Sequence, residues 1–444
     1  MAQDGDTNRT AAETALFEWF AAEAGTRAEE GSIGAQRQEA FDRFSGQGLP
    51  HRRVEAYKYT DLRATLRTLP PVAEAPASAE LETALAAVPP LGGEELVPSR
   101  IVIANGRFVP EASDLAALDG AVSVRGFAEL LLAADPVLGR IGTLASEVDD
   151  PMLALNTALF EDGVVITVAD GATVNRPLEI LHVATGSDPV TTMPRHAVFV
   201  GEGASVRILE RYEGAGEAAH VTNAAIELAV APRASVVWAK LQADGTSATH
   251  IGTTTVAIGT AARLNHLTIN LGAKLSRSQI FARVDGEETD IAFDTATFIT
   301  GKQHADQTLV VDHKVPNGVS RERFRSVVDD QAKAIVQGRI NVWQYAQKTD
   351  ARMMSNALLL SEGAEAVNKP ELEIFADDVQ CAHGATAGQI DEDALFYLRS
   401  RGVPKRLAER LLIESFLVEA VEGLGDDTLV PALSERLRSA LRGE

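Results

Sequence analysis

Residues 203–269 read GASVRILERYEGAGEAAHVTNAAIELAVAPRASVVWAKLQADGTSATHIGTTTVAIGTAARLNHLTI, and the stretch echoes itself. Ala204-Ser205-Val206 returns as Ala234-Ser235-Val236 and again as Ala262-Arg263-Leu264. An earlier copy stands at Ala172-Thr173-Val174, and weaker ones at Ala332-Lys333-Ala334 and Ala364-Glu365-Ala366. The first four are separated by steps of about 28 to 32 residues, in the range of stacked repeats. Around them run short segments rich in Val, Ile and Thr: Val164–Val168, Leu178–His182, Ala197–Val200, Val206–Leu209, Ala225–Val230, Val236–Ala239, Thr253–Ile258 and Leu264–Ile269. No helix-period segment interrupts them from Gly163 onward, so the region reads as mainly β. Each repeat is expected to form one coil of a β-helix, burying its aliphatic face by stacking on its neighbours. Aromatic residues make up only 5% of the chain, which suits a narrow core of aliphatic rungs. The rival is a β-sandwich whose internal similarity is accidental.

Outward from this core the texture is helical. Residues 11–45 carry abundant alanine, with Leu16, Phe17, Phe20 and Ala21 at helical spacing. The Pro- and Ala-rich stretch from Pro70 to Pro90, with further breakers at Gly92, Gly93 and Pro98, reads as a mobile connector. A short strand at Ile101–Ala104 ends in the turn signal Asn105-Gly106, and mixed helix and loop run on to about Asp150. After Gly388 helices return. Asp391 is the expected N-cap, with Glu392 and Asp393 in the first turn and Arg399 and Arg401 in the last, matching the helix dipole. Gly402 ends that helix, and Pro404 stands at the expected first position of another running to about Glu422. The division expected is 1–150 helical with linker and short strand, 151–390 β-helix, and 391–444 helical.

Composition excludes several classes. The 444 residues, 45% of them hydrophobic, suffice for a sizeable core. A net charge of −22 repels phosphate backbones and anionic lipid, and no local basic patch offsets it, so neither nucleic acid nor a membrane surface is an expected partner. No apolar run approaches the roughly 18 residues of a membrane span. The single cysteine, Cys381, rules out an intrachain disulfide framework, and Met1–Thr10 is polar and acidic, unlike a signal peptide. The expected compartment is the cytoplasm, with an organelle stroma as the alternative.

No GxxxxGK[ST], HExxH, GxSxG or CxxC is present, so no autonomous catalytic apparatus is legible. Gly201-Glu202-Gly203 begins like a dinucleotide fingerprint but lies between β runs, and reads as a turn between rungs. What remains is Cys381-Ala382-His383, at the end of the strand-like run Leu372–Val379. In an extended segment residues i and i+2 share a face, so thiol and imidazole are expected to point together. Both are good ligands for zinc and iron–sulfur clusters, but such sites usually take four donors. The other histidines (His51, His182, His196, His220, His250, His266, His304 and His313) show no close ligand spacing. The missing ligands would have to come from another chain, from sulfide or from a small thiol. Against this stands the plainer reading, a small buried hydrophobe beside a satisfied histidine. Glu371 and Glu373 share a strand face, with Asp377 and Asp378 following. A polysaccharide-active β-helix enzyme could use such a pair, and solvated surface is the plainer alternative.

The segment NKPELEIFADDVQCAHGATAGQIDEDALFYLRSRGVPKRLAERLLIESFLVEAV, Asn368 to Val421, resembles the C-terminal signature of the SufB/SufD family. EAYKYTDL (Glu55 to Leu62), ANGRFVPEASDL (Ala104 to Leu115) and LNTALFEDGVVI (Leu155 to Ile166) are similar to further family elements, so the resemblance covers most of the chain. With one cysteine the chain is more similar to the SufD branch than to SufB, whose members carry more. The resemblance implies a right-handed parallel β-helix flanked by helical regions, working as a non-enzymatic scaffold in iron–sulfur cluster assembly and iron acquisition. It implies pairing with a SufB-like subunit, and docking of a SufC-like ATPase on about Ala394 to Val421. It also implies a transient cluster or iron at the junction, held by His383 with Cys381 beside it and a cysteine of the partner. Family complexes are associated with reduced flavin, although no flavin fingerprint is legible here. A SufB-like or homodimeric scaffold is the alternative within the family.

Overall fold

The computed structural model describes residues 9–443 apart from 28–30, 93–95, 117, 119, 215 and 216. Met1–Asn8 and Gly93, both read above, lie outside the described residues. Two ten-stranded sheets face each other and wind into a parallel β-solenoid of about eight turns, with helices at both ends of the chain. The repeated tripeptides are the register itself. Ser205 stands beside Ser235, and Ser235 beside Arg263, while Thr173 bridges to Ser205. The preceding residues Gly171, Gly203, Arg233 and Ala261 all have left-handed backbone, with φ between 54° and 67°. The chain therefore turns the same corner in each coil, and the alanine that follows is small because it packs inside that corner. The weaker echoes are also in register, Lys333 beside Glu365 and Ala334 beside Ala366, but they lie in the opposite sheet.

The eight Val-, Ile- and Thr-rich runs all lie within strands, from Val164–Val168 to Arg263–Asn270, whereas the strand-like run Leu372–Val379 is strand only to Ile374 and then crosses to the other sheet, where Gln380–Gly388 carries Cys381 and His383. Gly163, with φ 149°, opens the first of these, where a Cβ would collide with the Arg195 carbonyl oxygen. Asn105-Gly106 forms the expected tight turn, both residues at positive φ, between Ser99–Ala104 and the antiparallel Arg107–Phe108. Inward rows of Val206, Ile208, Val236, Trp238, Leu264 and Ile291 build the bore's apolar core, mostly aliphatic with one indole. Burial of each such side chain contributes about 1.5–3 kcal/mol.

The stretch Pro70–Pro90 is more than a connector. It contains a helix, Ser78–Ala87, whose Leu81 is buried against Val102 and Leu181. Helicity there comes from tertiary docking of a short apolar face rather than from a long periodic pattern. The N-terminal helices Ala11–Arg27 and Ser32–Gln47 bury Leu16 and Phe44 with Tyr57 against Ile251 and Leu275, on the outside of one sheet. At the other terminus Lys405–Glu422 and Leu429–Arg442 cover Leu209, Ala239, Leu267, Ala296 and Val327 on the outside of the other sheet. Asp391 caps Glu392–Ser400 by accepting from the amides of Asp393 and Ala394. Pro404 occupies the cap of the next helix, one residue earlier than expected.

The EAYKYTDL element is a clamp. Tyr57 is fully buried and donates to Asp150 at 2.7 Å, and the Arg277 guanidinium lies 4.0 Å from its ring centroid. Arg277 also donates to the Ala56 carbonyl at 2.9 Å and pairs with Asp306, which accepts from Thr60 as well. Glu55 reaches Lys369, on a strand of the last coil, at 2.7 Å. Replacing Arg277 by Ala strands a buried Asp306 carboxylate. A loss of about 3–5 kcal/mol is expected, read as a lowered urea midpoint with new proteolytic cleavage around residues 50–60.

Candidate functional site

The last strand of one sheet is Gln380–Gly388, and the last of the other is Glu365–Ile374. Among the described residues no strand pairs with the far side of either, so both present rows of unsatisfied backbone donors and acceptors. Cys381 stands beside Ala351, and His383 beside Met353. Ala351 and Met353 are buried inner-row residues, and Cys381 packs against the same core cluster. The expected shared face is therefore real, and it is the inside of the final coil, left open because no further coil lies over it. Cys381 is half-buried and His383 exposed.

Burial pushes the Cys381 thiol up from its usual range, with Asp350 and Glu322 adding to the effect and a hydrogen bond with the Ala351 backbone opposing it. At neutral pH the group is a thiol, and it ligates only where a cation displaces its proton. Among the described residues no three His, Cys, Asp or Glu side chains are placed to hold a metal ion. Among those residues nothing completes the pair.

The other histidines are engaged elsewhere. His182 stacks on Tyr212 at 4.0 Å and lies 5.0 Å from His196, ring centroid to centroid, inside the bore. His250 faces Asp244 at 3.1 Å, and His304 contacts Thr60 at 2.9 Å. Desolvation holds His196 and His266 down at about 4, so both are neutral. The acidic pair also has a structural role: Arg339 bridges Glu371 at 3.2 Å and Glu373 at 3.8 Å, while Lys369 adds to Glu371 at 3.5 Å. Both carboxylates are thus tied into ion pairs on the outer face.

Sequence reading missed Glu322. In register the inner column runs Trp238, His266, Phe293, Glu322, Met353, His383. Glu322 is fully buried without well-formed hydrogen-bond partners for its carboxyl oxygens. Desolvation raises it to about 8, against weaker opposing pulls from Ser320 and Arg321. Met353 closes the bore above it by reaching across to Gly338 in the opposite sheet, where any Cβ would collide with its sulfur. The repeat spacing carried this signal, since steps of about 30 residues back from His383 fall on Met353 and Glu322.

Two family profiles match the chain. The SufBD protein N-terminal region matches residues 12–180, and the SufBD core domain of SUF system FeS cluster assembly matches residues 182–416. An iron–sulfur cluster assembly SufBD family protein of Synechocystis sp. is 31% identical over 417 residues, covering 91% of this chain and 90% of the relative. The iron–sulfur cluster assembly protein SufD of Escherichia coli is 29% identical over 412 residues, covering 92% and 93%. A chloroplastic protein of Arabidopsis thaliana, ABCI7, is 31% identical over 301 residues, covering 65% and 63%.

The buried carboxyl has a thermodynamic signature. The folded chain keeps the Glu322 proton up to about pH 8, while a free glutamate releases it near 4.5. This group's contribution to stability is therefore full below pH 4.5 and declines as pH rises towards 8. Glu322→Gln removes that slope and is expected to be more stable than the parent at pH 8, by on the order of 2 kcal/mol. Urea denaturation at pH 5 and pH 8 measures it, and parallel profiles for the two proteins would contradict the assignment.

Proposed function

Because the chain belongs to the SufBD family of iron–sulfur cluster assembly proteins, we propose that it is the SufD-like scaffold of a SufBCD-type complex, holding a nascent cluster as cargo where a SufB-like subunit covers its open end. One observation carries this reading: a thiol and an imidazole share the inner face of an unpaired edge strand, and the described residues supply no third ligand. A half-set placed where a second chain must dock is complete only in a complex.

Strand addition to Gln380–Gly388 or Glu365–Ile374 would satisfy the free backbone groups and enclose His383 and Cys381. Exclusion of water there strengthens metal–ligand interactions, and an incoming iron ion displaces the thiol proton. The exposed Phe396, Tyr397, Leu407 and Leu411 on the C-terminal helices are the docking surface for a SufC-like ATPase. Since Lys405–Glu422 lies on the sheet that ends in Gln380–Gly388, closure of two ATPase subunits would pull on that sheet and open the junction to iron and sulfide. The ATPase equilibrium drives the step, so this chain acts without catalysis of its own, in the cytoplasm.

His383→Ala is expected to lower cluster yield on the purified complex at least tenfold while the subunits still co-elute. Iron and acid-labile sulfide per complex give the readout, and an unchanged yield removes His383 from the site. Phe396→Ser with Leu407→Ser should abolish co-purification of the ATPase and leave the solenoid's thermal unfolding unchanged. Retained ATPase would place its docking surface elsewhere.

A further inference from the structure

Several coils from the open end, the chain leaves the strands Leu178–Val183, Ser205–Glu213 and Ser235–Ala243 and turns the corner towards the opposite sheet. Between these turns and the helix Ser78–Ala87 lies a crevice of about 810 Å³. Small organic ligands occupy cavities of roughly 300–1,000 Å³. The walls are small and apolar, with Ala79, Ala84, Val88, Val183, Ala184 and Ala248 among them. Arg436, from the last helix, closes one side and pairs with Glu213 at 3.6 Å. The other charged groups on the lining, among the described residues, are Glu80, Glu217 and Asp244, all acidic.

The inner end of the crevice is polar and buried. A narrow space shares His220, Asp244, Val183 and Ala184 with it and reaches His182 and Tyr212 inside the bore. His182 is 6% exposed, and its Nε2 has no hydrogen-bond partner among the described residues. The Gln242 side chain donates to Asp244 Oδ2 at 2.9 Å, and His250 Nδ1 faces the same oxygen at 3.1 Å. Asp244 Oδ1 is left open. Burial raises this carboxyl, but His250, Gln242 and Lys240 together outweigh burial and hold it below its usual range, so it is ionised. Burial pushes His182 and His220 down, so neither ring adds a positive charge. Among the described residues these side chains are not placed to hold a metal ion. A sheltered carboxylate with one free oxygen is best satisfied by a charged hydrogen-bond donor.

We propose that this crevice binds an organic amine, with an ammonium group on Asp244 Oδ1 and a hydrocarbon body along the alanine-lined wall. The exposed Glu80 and Glu217 suit a second ammonium group, which favours a polyamine over a monoamine. A carboxylate or phosphate ligand is disfavoured, because Arg436 is already engaged by Glu213. The site is independent of the cluster reading, since it uses neither Cys381 nor His383 and lies on other coils. Its walls come from an N-terminal helix, the first coils and the C-terminal helix, so an occupant would hold all three together.

Equilibrium dialysis of the full chain against labelled spermidine tests this, at about 0.15 M salt to screen diffuse attraction of amines to an acidic surface. Saturable binding at one site is expected, with a thermal midpoint that rises with spermidine concentration. Thr83→Trp, at an exposed position on the crevice wall, fills the space and should weaken binding by roughly tenfold or more. Asp244→Asn keeps the shape, removes the charge and should do the same; if it fails to fold, Thr83→Trp carries the test. Glu362→Gln, an exposed acid on a turn of the last coils, should bind as the parent does. Parental affinity in Thr83→Trp, or retention that never saturates, reduces the effect to surface charge and overturns the proposal. No retention at about 1 mM spermidine, or binding of glutamate in its place, also overturns it.

Discussion

Each coil of the solenoid satisfies the backbone hydrogen bonds of the coil before it, and the final coil has no successor. Register partners run without a break from Ser205 through Ser235, Arg263, Asp290, Val319 and Asp350 to Gln380, where pairing stops. The same stop occurs at Glu365–Ile374 in the opposite sheet. A terminus of this kind is either capped or used for association, because a free edge is a template for another strand. Here Cys381 and His383 occupy its inner face. The chemistry and the docking surface thus follow from one unsatisfied edge.

The interior is not uniformly apolar. Lys240 lies 3.2 Å from Glu210, which also accepts from the Trp238 indole at 3.1 Å, and the Lys240 ammonium sits 4.7 Å from the centre of the Tyr212 ring. Such groups bring little net stability, because the cost of desolvating them offsets much of their attraction. Glu322 is the extreme case, a carboxylic acid kept neutral by its surroundings. In the last three coils the apolar pair Ile291 and Phe293 gives way to Ser320 and Glu322, then Ala351 and Met353, then Cys381 and His383. The open end is therefore less tightly filled with aliphatic side chains than the middle of the bore.

Much of the architecture was legible because a solenoid writes its geometry into the chain as a period. The Ala-x-Val echo marked both the corner and the register, and the apolar runs marked the strands. The helix Ser78–Ala87 was not legible, since its short apolar face has meaning only against Val102 and Leu181. Outer-face residues such as Leu209, Leu267 and Val327 were equally opaque. A strand covered by helices on one side and by the bore on the other is apolar on both faces and loses its alternation. His182 and His196 have no ligand-like spacing that announces their proximity, because they meet across the bore from opposite sheets.

The coil, its repeat length and the shared face of Cys381 and His383 can all be read along the chain. Those properties are local or periodic, and a linear chain records them directly. Packing places this face inside the terminal coil, sets Glu322 two rungs beneath it, and ties Glu371 and Glu373 to Arg339. Each of these depends on where stacking ends and which face of the last strand remains uncovered, which is settled by packing between distant segments.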